Sequence, residues 1–251
     1  MEIDRYFATR RTVRRYTSRQ VEPELLTRLL DEASHAPNTG NMQLYSVIVT
    51  RSAEGKQALA PLHFNQPSVT GCSVLLTFCI DINRFGMWCK EGDADAGFDN
   101  LQMLLAAAID TSLFAQQFNT IAELHGLGCC YLGTTAYNAP QIAEALKLPD
   151  GVVPLISLTV GYPDGDAPAS DRLPIKAIVH EGEYRQYTPA QIREIYATQE
   201  ARDDSRQFIA ENGKSTLAQV FAEVRYPRAT NEAFSKTLQE YLDSTFYKRG
   251  S

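Results

Sequence analysis

The chain lacks any apolar run approaching the roughly 20 residues that carry a helix across a bilayer. Its most hydrophobic stretch, Ser73 to Ile80, is only strand length, so no membrane partner is expected. Histidine is scarce, and His35, His63, His125 and His180 are scattered, so no metal site is expected. Cys72, Cys79, Cys89, Cys129 and Cys130 are odd in number and without CxxC spacing, which reads as small buried hydrophobes in a reducing, cytoplasmic setting. Cys129 and Cys130 are adjacent, which suits opposite faces of a strand. Catalytic signatures are also missing. The segment Gly126-Leu127-Gly128-Cys129-Cys130-Tyr131-Leu132-Gly133 follows a helix and has its third glycine too late for a dinucleotide-binding turn. No P-loop, nucleophile-elbow serine or zinc-protease helix is present. An enzyme of this composition has to draw its chemistry from a cofactor, and no side chain is assigned a catalytic role.

What is present is ordinary for a globular protein: 251 residues, 44% hydrophobic and 22% charged. Such a chain can bury most of the surface it exposes when unfolded. The net charge of −6 (24 basic, 30 acidic) argues against nucleic acid as a partner. The charge is uneven, however. Residues 1–19 carry Arg5, Arg10, Arg11, Arg14, Arg15 and Arg19 against Glu2 and Asp4, which is +4 locally and leaves −10 for the rest. A basic knot in an acidic protein suggests a confined anion site. The same composition also fits an organelle transit peptide or a solvated face. In an extended segment, alternation sends Arg10, Thr12 and Arg14 one way, and guanidiniums with a hydroxyl can grip a phosphate.

Periodicity sets out the rest. Pro23 opens a helix with the apolar stripe Leu25, Leu26, Leu29, Leu30, Ala33, and Asn38–Asn41 is a turn. Tyr45–Thr50 and Ser73–Ile80 read as strands, the second apolar on both faces and therefore central in a sheet. Phe98 to His125 is a long helix, apolar around much of its circumference, which has to be buried in a core or between subunits. A short strand Cys129–Leu132, a helix Gln141–Leu146 and a strand Val153–Val160 follow. Residues 164–190 show little periodicity. Helical patterns resume at 190–195, 215–223 and 231–242, more polar than before. This divides the chain into a core of residues 1–190 and a helical extension of residues 191–251, packed on the core or on a partner subunit.

Three segments in order then carry a resemblance. Arg10 to Tyr16 has the form R-x-[ST]-x-[RK]-x-[FY], Leu25 to Ala33 is a leucine-striped helix, and Pro37 to Gln43 is a polar loop ending in Gln before a strand. With Gln66-x-x-Val69, Gly126-Leu127-Gly128, Tyr131-Leu132-Gly133, Leu146–Pro149 and Arg172-Leu173-Pro174, the chain resembles the nitroreductase family over roughly residues 3–187, most of all its oxygen-insensitive NADPH nitroreductase and NADPH–FMN oxidoreductase branch.

That resemblance implies an α+β fold with a mostly antiparallel central sheet flanked by helices, an intertwined homodimer, and FMN as cofactor. It implies a reductase of nitro compounds, quinones or flavins, with small aromatic electron acceptors as substrates. Hydride would pass by a ping-pong route from NADPH or NADH. The cofactor-binding residues it implies are Arg10, Arg11, Thr12, Val13 and Arg14, the two leading arginines towards the phosphate and Arg14 near the pyrimidine edge. Asn38 and Gln66 would hydrogen-bond the ring, and Tyr131, Leu132, Gly133 and Thr134 would pass it with backbone N–H groups. Ser170 and Arg172 match phosphate positions, with Ser where this branch has Lys. No tail segment matches the basic stretch that holds the NADPH 2′-phosphate; Arg202, Arg206, Lys214, Arg225 and Arg228 are candidate substitutes. A non-catalytic flavin-binding protein and a different flavin reaction, such as reductive dehalogenation, are the alternatives on the same fold.

Overall fold

The computed structural model describes residues 3–169 and 171–247. The chain divides into two compact units, residues 1–168 with 234–251, and residues 169–233. Periodicity divides the chain at 190/191, whereas in the structure residues 169–190 go with the second unit and 234–251 with the first.

The first unit runs α1 (Ile3–Thr9), α2 (Pro23–Ala33), β1 (Tyr45–Thr50), α3 (Ala53–Leu59), α4 (Pro67–Gly71), β2 (Val74–Asp81), α5 (Asn83–Glu91), α6 (Leu101–Leu124), β3 (Gly128–Leu132), α7 (Thr134–Tyr137), α8 (Ala139–Ala145) and β4 (Val152–Gly161). The second holds α9 (Pro189–Ala201), α10 (Asp203–Glu211) and α11 (Leu217–Gln219), which runs on as a π-helical turn Val220–Arg225. The last helix, α12 (Arg228–Thr245), begins in the second unit and ends in the first.

The sheet has the order β1-β2-β4-β3 and every neighbouring pair is antiparallel. The two doubly apolar strands therefore lie in the middle, and every residue of β2 is buried. The β2–β4 register slips between Phe78 and Cys79, which face Ile156 and Pro154. A bulge there accommodates a proline that has no N–H to give the ladder.

Side chains alternate across this sheet into two cores. Val74, Leu76 and Phe78 meet Leu26 and Leu29 of α2 and Phe114 and Phe118 of α6 on one face. Leu75, Cys130 and Leu132 meet Leu59, Val69 and Ile142 on the other. A third cluster at the end of the sheet joins Ile80 and Val153 to Ala107 of α6 and to Leu242 and Phe246 near the carboxyl end. Phe78 packs edge-on against Phe114 at 5.6 Å.

The α6 helix starts three residues later than its periodicity suggests, because Asn100 caps it by accepting a hydrogen bond from the Met103 N–H at 3.1 Å. It stops at Gly126, whose φ of +81° lets the Leu127 N–H reach back to the Ala122 carbonyl at 3.0 Å. Leu101, Leu105, Ile109 and Leu113, spaced four apart, form one apolar face that remains 41–61% exposed. The sequence pattern shows none of the short helices α1, α3, α4, α5, α7 and α10. Few of their side chains are buried, so their apolar periodicity is weak.

Candidate functional site

The arginine-rich segment lies along the edge strand β3 and the end of β4. The Val13 N–H donates to the Cys129 carbonyl at 3.0 Å, Tyr16 bridges to Pro163, and the Tyr16 hydroxyl donates to the Val13 carbonyl at 2.7 Å. Such close approach requires glycine beneath it. A Cβ on Gly128 would stand 2.6 Å from the Val13 side chain, and one on Gly161 2.8 Å from the Tyr16 ring.

The arginines of this segment do not share one face. Arg10 turns to the end of α6, where its Nε donates to Glu123 Oε2 at 3.2 Å and its Nη2 stands 3.1 Å from Oε1. The Tyr6 hydroxyl donates to the same carboxylate at 2.6 Å, and burial pushes that phenol's pKa up. Arg11 donates to the Ala167 carbonyl at 2.9 Å and stands 3.6 Å from a fully exposed Asp166, a pair that solvent screens heavily. Both arginines line a cleft of about 280 Å³ with Tyr6, Val13 and Glu123. Thr12 is half-buried and Val13 is packed inside. Arg14 is exposed and stands against Cys130, where it pulls down a thiol pKa that burial raises. No carboxylate lies within ion-pair reach of Arg14 among the described residues. The expectation that alternation aligns Arg10 with Arg14 is not met, because residues 10–15 form no strand and each side chain follows its own partner.

Cys130 and Leu132 look towards the cluster that contains Leu59 and Val69, whereas Tyr131 packs on the α2 and α6 side. The Tyr131 hydroxyl is buried without a partner, and burial raises its pKa. After Leu132 the chain turns at Gly133, which is exposed; a Cβ there would meet nothing within 4 Å. Thr134 Oγ1 lies 2.9 Å from His63 Nδ1, and the Asn138 amide donates to the Leu62 carbonyl at 2.7 Å. These bonds bring the segment ending at Gln66, the half-buried cap of α4, beside the Gly133–Thr134 corner. His63 is fully buried, and desolvation lowers its pKa to about 4, so the ring is neutral. Phe64 and Asn65 both have φ of +53°, and Phe64 is 54% exposed. Its ring faces Phe234, which stacks on Tyr137 at 4.6 Å.

Asn38 uses its side chain within its own turn: Oδ1 accepts the Gln43 N–H at 3.3 Å and Nδ2 donates to the Ala36 carbonyl at 3.4 Å. The turn is strained. Gly40, Asn41 and Gln43 have φ of +56°, +57° and +54°, and each such non-glycine residue costs roughly 1–3 kcal/mol unless its surroundings impose the conformation.

Arg172 belongs to the second unit and donates to the Asp171 carbonyl at 2.9 Å. Ser170 lies outside the described residues. Arg202 is held by Asp171 and Asp204, Arg206 by Asp203, Lys214 by Glu223 and Arg228 by Glu232, while Arg225 stands over the rings of Phe208 and Phe221. Among the described residues no group of three or more His, Cys, Asp or Glu could hold a metal, and no helix is long and apolar enough to cross a membrane.

Sequence reasoning passed over His63, Phe64, Tyr137 and Phe234, which no local pattern marks. It also passed over Asp110, which does carry a signal. Asp110 is the only charged residue between Asp99 and Glu123, in a stretch that is otherwise apolar or neutral.

Comparison with known proteins completes the description. An oxidoreductase from Bacteroides fragilis of known structure superposes with a TM-score of 0.95, at 47% identity over 97% of this chain and 99% of that one. A Cr(VI) reductase from a Pseudomonas species is 34% identical over 69% of this chain and 71% of its own length. An NADPH-dependent FMN reductase from Bacillus subtilis is 32% identical over 69% and 71%. The nitroreductase family model matches residues 7–83 and 87–162, which span all four strands and the arginine segment that lies along β3 and the end of β4. This chain is therefore a member of the nitroreductase family.

Proposed function

We propose that the protein is an FMN-dependent NAD(P)H oxidoreductase that reduces nitro compounds, quinones or flavins by ping-pong hydride transfer. The observation that carries this reading is Arg14, an exposed guanidinium without a carboxylate partner among the described residues, at the face of β3 that leads to an open glycine corner. A flat, anionic cofactor fits such a place, because the cation has no carboxylate partner among the described residues and backbone at Gly133 stands clear of side chains. When bound, FMN supplies the hydride relay between nicotinamide and acceptor.

The protein's own part is electrostatic and positional. Arg14 would neutralise negative charge at the pyrimidine edge, where a cation in a water-poor slot is worth more than in bulk. Arg11 and Thr12 would take the phosphate. Arg10 already faces Glu123, so its role there is shared with tying the segment to α6. Gln66, Gly133 and Thr134 would border the ring, with Tyr131, Leu132 and Val13 contributing backbone, since their side chains point into the core. Asn38 would contribute through the backbone of its turn, its amide being engaged.

NADPH is favoured as reductant by the name of the Bacillus relative. The exposed face Leu101, Leu105, Ile109, Leu113 supports a homodimer, because a continuous apolar stripe of this length favours a second copy over water.

The test is direct. Purified protein should take up FMN, turn colourless with NADPH, recover its colour with a nitroaromatic or quinone, and sediment as a dimer. Arg14→Ala should weaken FMN binding by about tenfold or more. A protein that takes up no FMN, or an Arg14→Ala variant with wild-type affinity and reduction rate, would refute the assignment.

A further inference from the structure

The Asp110 carboxylate is 1% exposed at the middle of α6. A charged group at that depth is costly unless it is compensated, and aspartate is also a poor interior helix residue. No cation stands within ion-pair reach of it among the described residues. Among the described residues its hydrogen bonds come from Thr39. The Thr39 N–H lies 2.9 and 3.0 Å from the two carboxylate oxygens, and the Thr39 hydroxyl donates to Oδ1 at 2.9 Å.

Thr39 begins the strained stretch Gly40, Asn41, Gln43. The far end of that stretch is held as well, because Arg84 of α5 donates to the Gln43 and Tyr45 carbonyls. The Asn38 side chain closes the turn across its base by accepting the Gln43 N–H. A backbone held at three points keeps left-handed residues that would otherwise relax. Asp110 is the one of these holds that is fully buried. Because α6 packs on the sheet, the carboxylate carries a position set in the core to an exposed turn. Ile109 and Leu113 flank Asp110, so the turn stands at the border of the apolar stripe.

We propose that Asp110 is a positioning residue: its buried carboxylate, taken up by Thr39, presets the backbone of the Asn38–Gln43 turn for the cofactor. This rests on the flavin reading above. The carboxylate touches no cofactor and acts through Thr39. Preorganisation of this kind shows in affinity, because a loose turn has to be ordered at the moment of binding.

The test uses the full chain and measures FMN dissociation constants by flavin fluorescence, together with amide hydrogen exchange over residues 39–43 in protein stripped of flavin. Asp110→Asn keeps the shape and loses the charge, and it should weaken FMN binding by about tenfold and speed exchange of the Thr39 amide. Thr39→Val removes only the hydroxyl from an exposed position that does not endanger folding, and should cost about fivefold in affinity. Thr39→Ser restores the hydroxyl and should return close to wild type. The double variant Asp110→Asn with Thr39→Val should lose less than the product of the single losses, since both cut one link. Should Asp110→Asn fail to fold, Thr39→Val against Thr39→Ser decides alone. Wild-type FMN affinity and unchanged exchange in Thr39→Val overturn the role while the flavin reading stands. A wild-type protein that binds no FMN overturns both.

Discussion

The two units of this molecule use similar apolar side chains to different ends. In residues 1–168 with 234–251, Leu75, Leu76, Phe78, Phe118, Leu158 and Val160 are wholly withdrawn from water. In residues 169–233 only Val220 is buried among the described residues, while Ile175, Ile178, Val179, Tyr184, Ile192, Tyr196, Phe221 and Tyr226 stay 41–73% exposed. The difference comes from the sheet. Four paired strands offer two flat faces on which helices can lay an apolar stripe, whereas the second unit holds no strand among the described residues. Local devices hold the second unit: capping boxes at Thr188 and Thr216, and Arg202 between Asp171 and Asp204. Caps are worth about 1 kcal/mol and exposed ion pairs less.

The largest effect that separates the units is expected in the sheet core. Phe78→Ala should cost about 3–5 kcal/mol in chemical denaturation, because it empties the space between β2 and α6. A loss below about 1 kcal/mol would mean that this core can collapse as freely as the second unit.

Next comes pH. His63 is held neutral in the first unit, with a pKa of about 4 against 6.5 in the unfolded chain. Between those values the unfolded state binds the extra proton, so this contribution is complete above pH 6.5 and drains away as pH falls towards 4. Its upper limit is about 3 kcal/mol. Denaturation midpoints of wild type and His63→Gln between pH 4 and 7 should converge at the acid end; parallel curves would show that His63 is protonated in the fold.

The smallest effect belongs to the second unit. Phe221→Ala, at a ring that is 42% exposed, should cost about 1 kcal/mol or less by the same denaturation. A loss matching that of Phe78→Ala would erase the contrast and require that this ring be covered in solution.

Much of the first unit could be read from residues in order. The doubly apolar runs 73–80 and 153–160 became β2 and β4 at the centre of the sheet, and the long apolar helix became α6 with an uncovered stripe. The glycines of 126–128, rejected as a nucleotide motif, proved to end α6 and to admit Val13. The direction of the arginines was not legible. Arg10 meets Glu123 from 113 positions away, and Thr39 meets Asp110 from 71. No local rule pairs residues so distant, since their approach follows from how α6 crosses the sheet. His63 was left without a role for the same reason, its burial being decided by neighbours remote in sequence.

The sequence by itself determined the class of the fold, its central strands, the basic segment and the family, because each is written in short-range periodicity, in glycine placement or in motifs a few residues long. Tertiary structure alone decided which arginine stays without a carboxylate partner among the described residues, which carboxylate is buried to hold a strained turn, and which apolar faces remain bare. Those outcomes depend on the desolvation and geometry of groups that meet only after the chain has closed on itself.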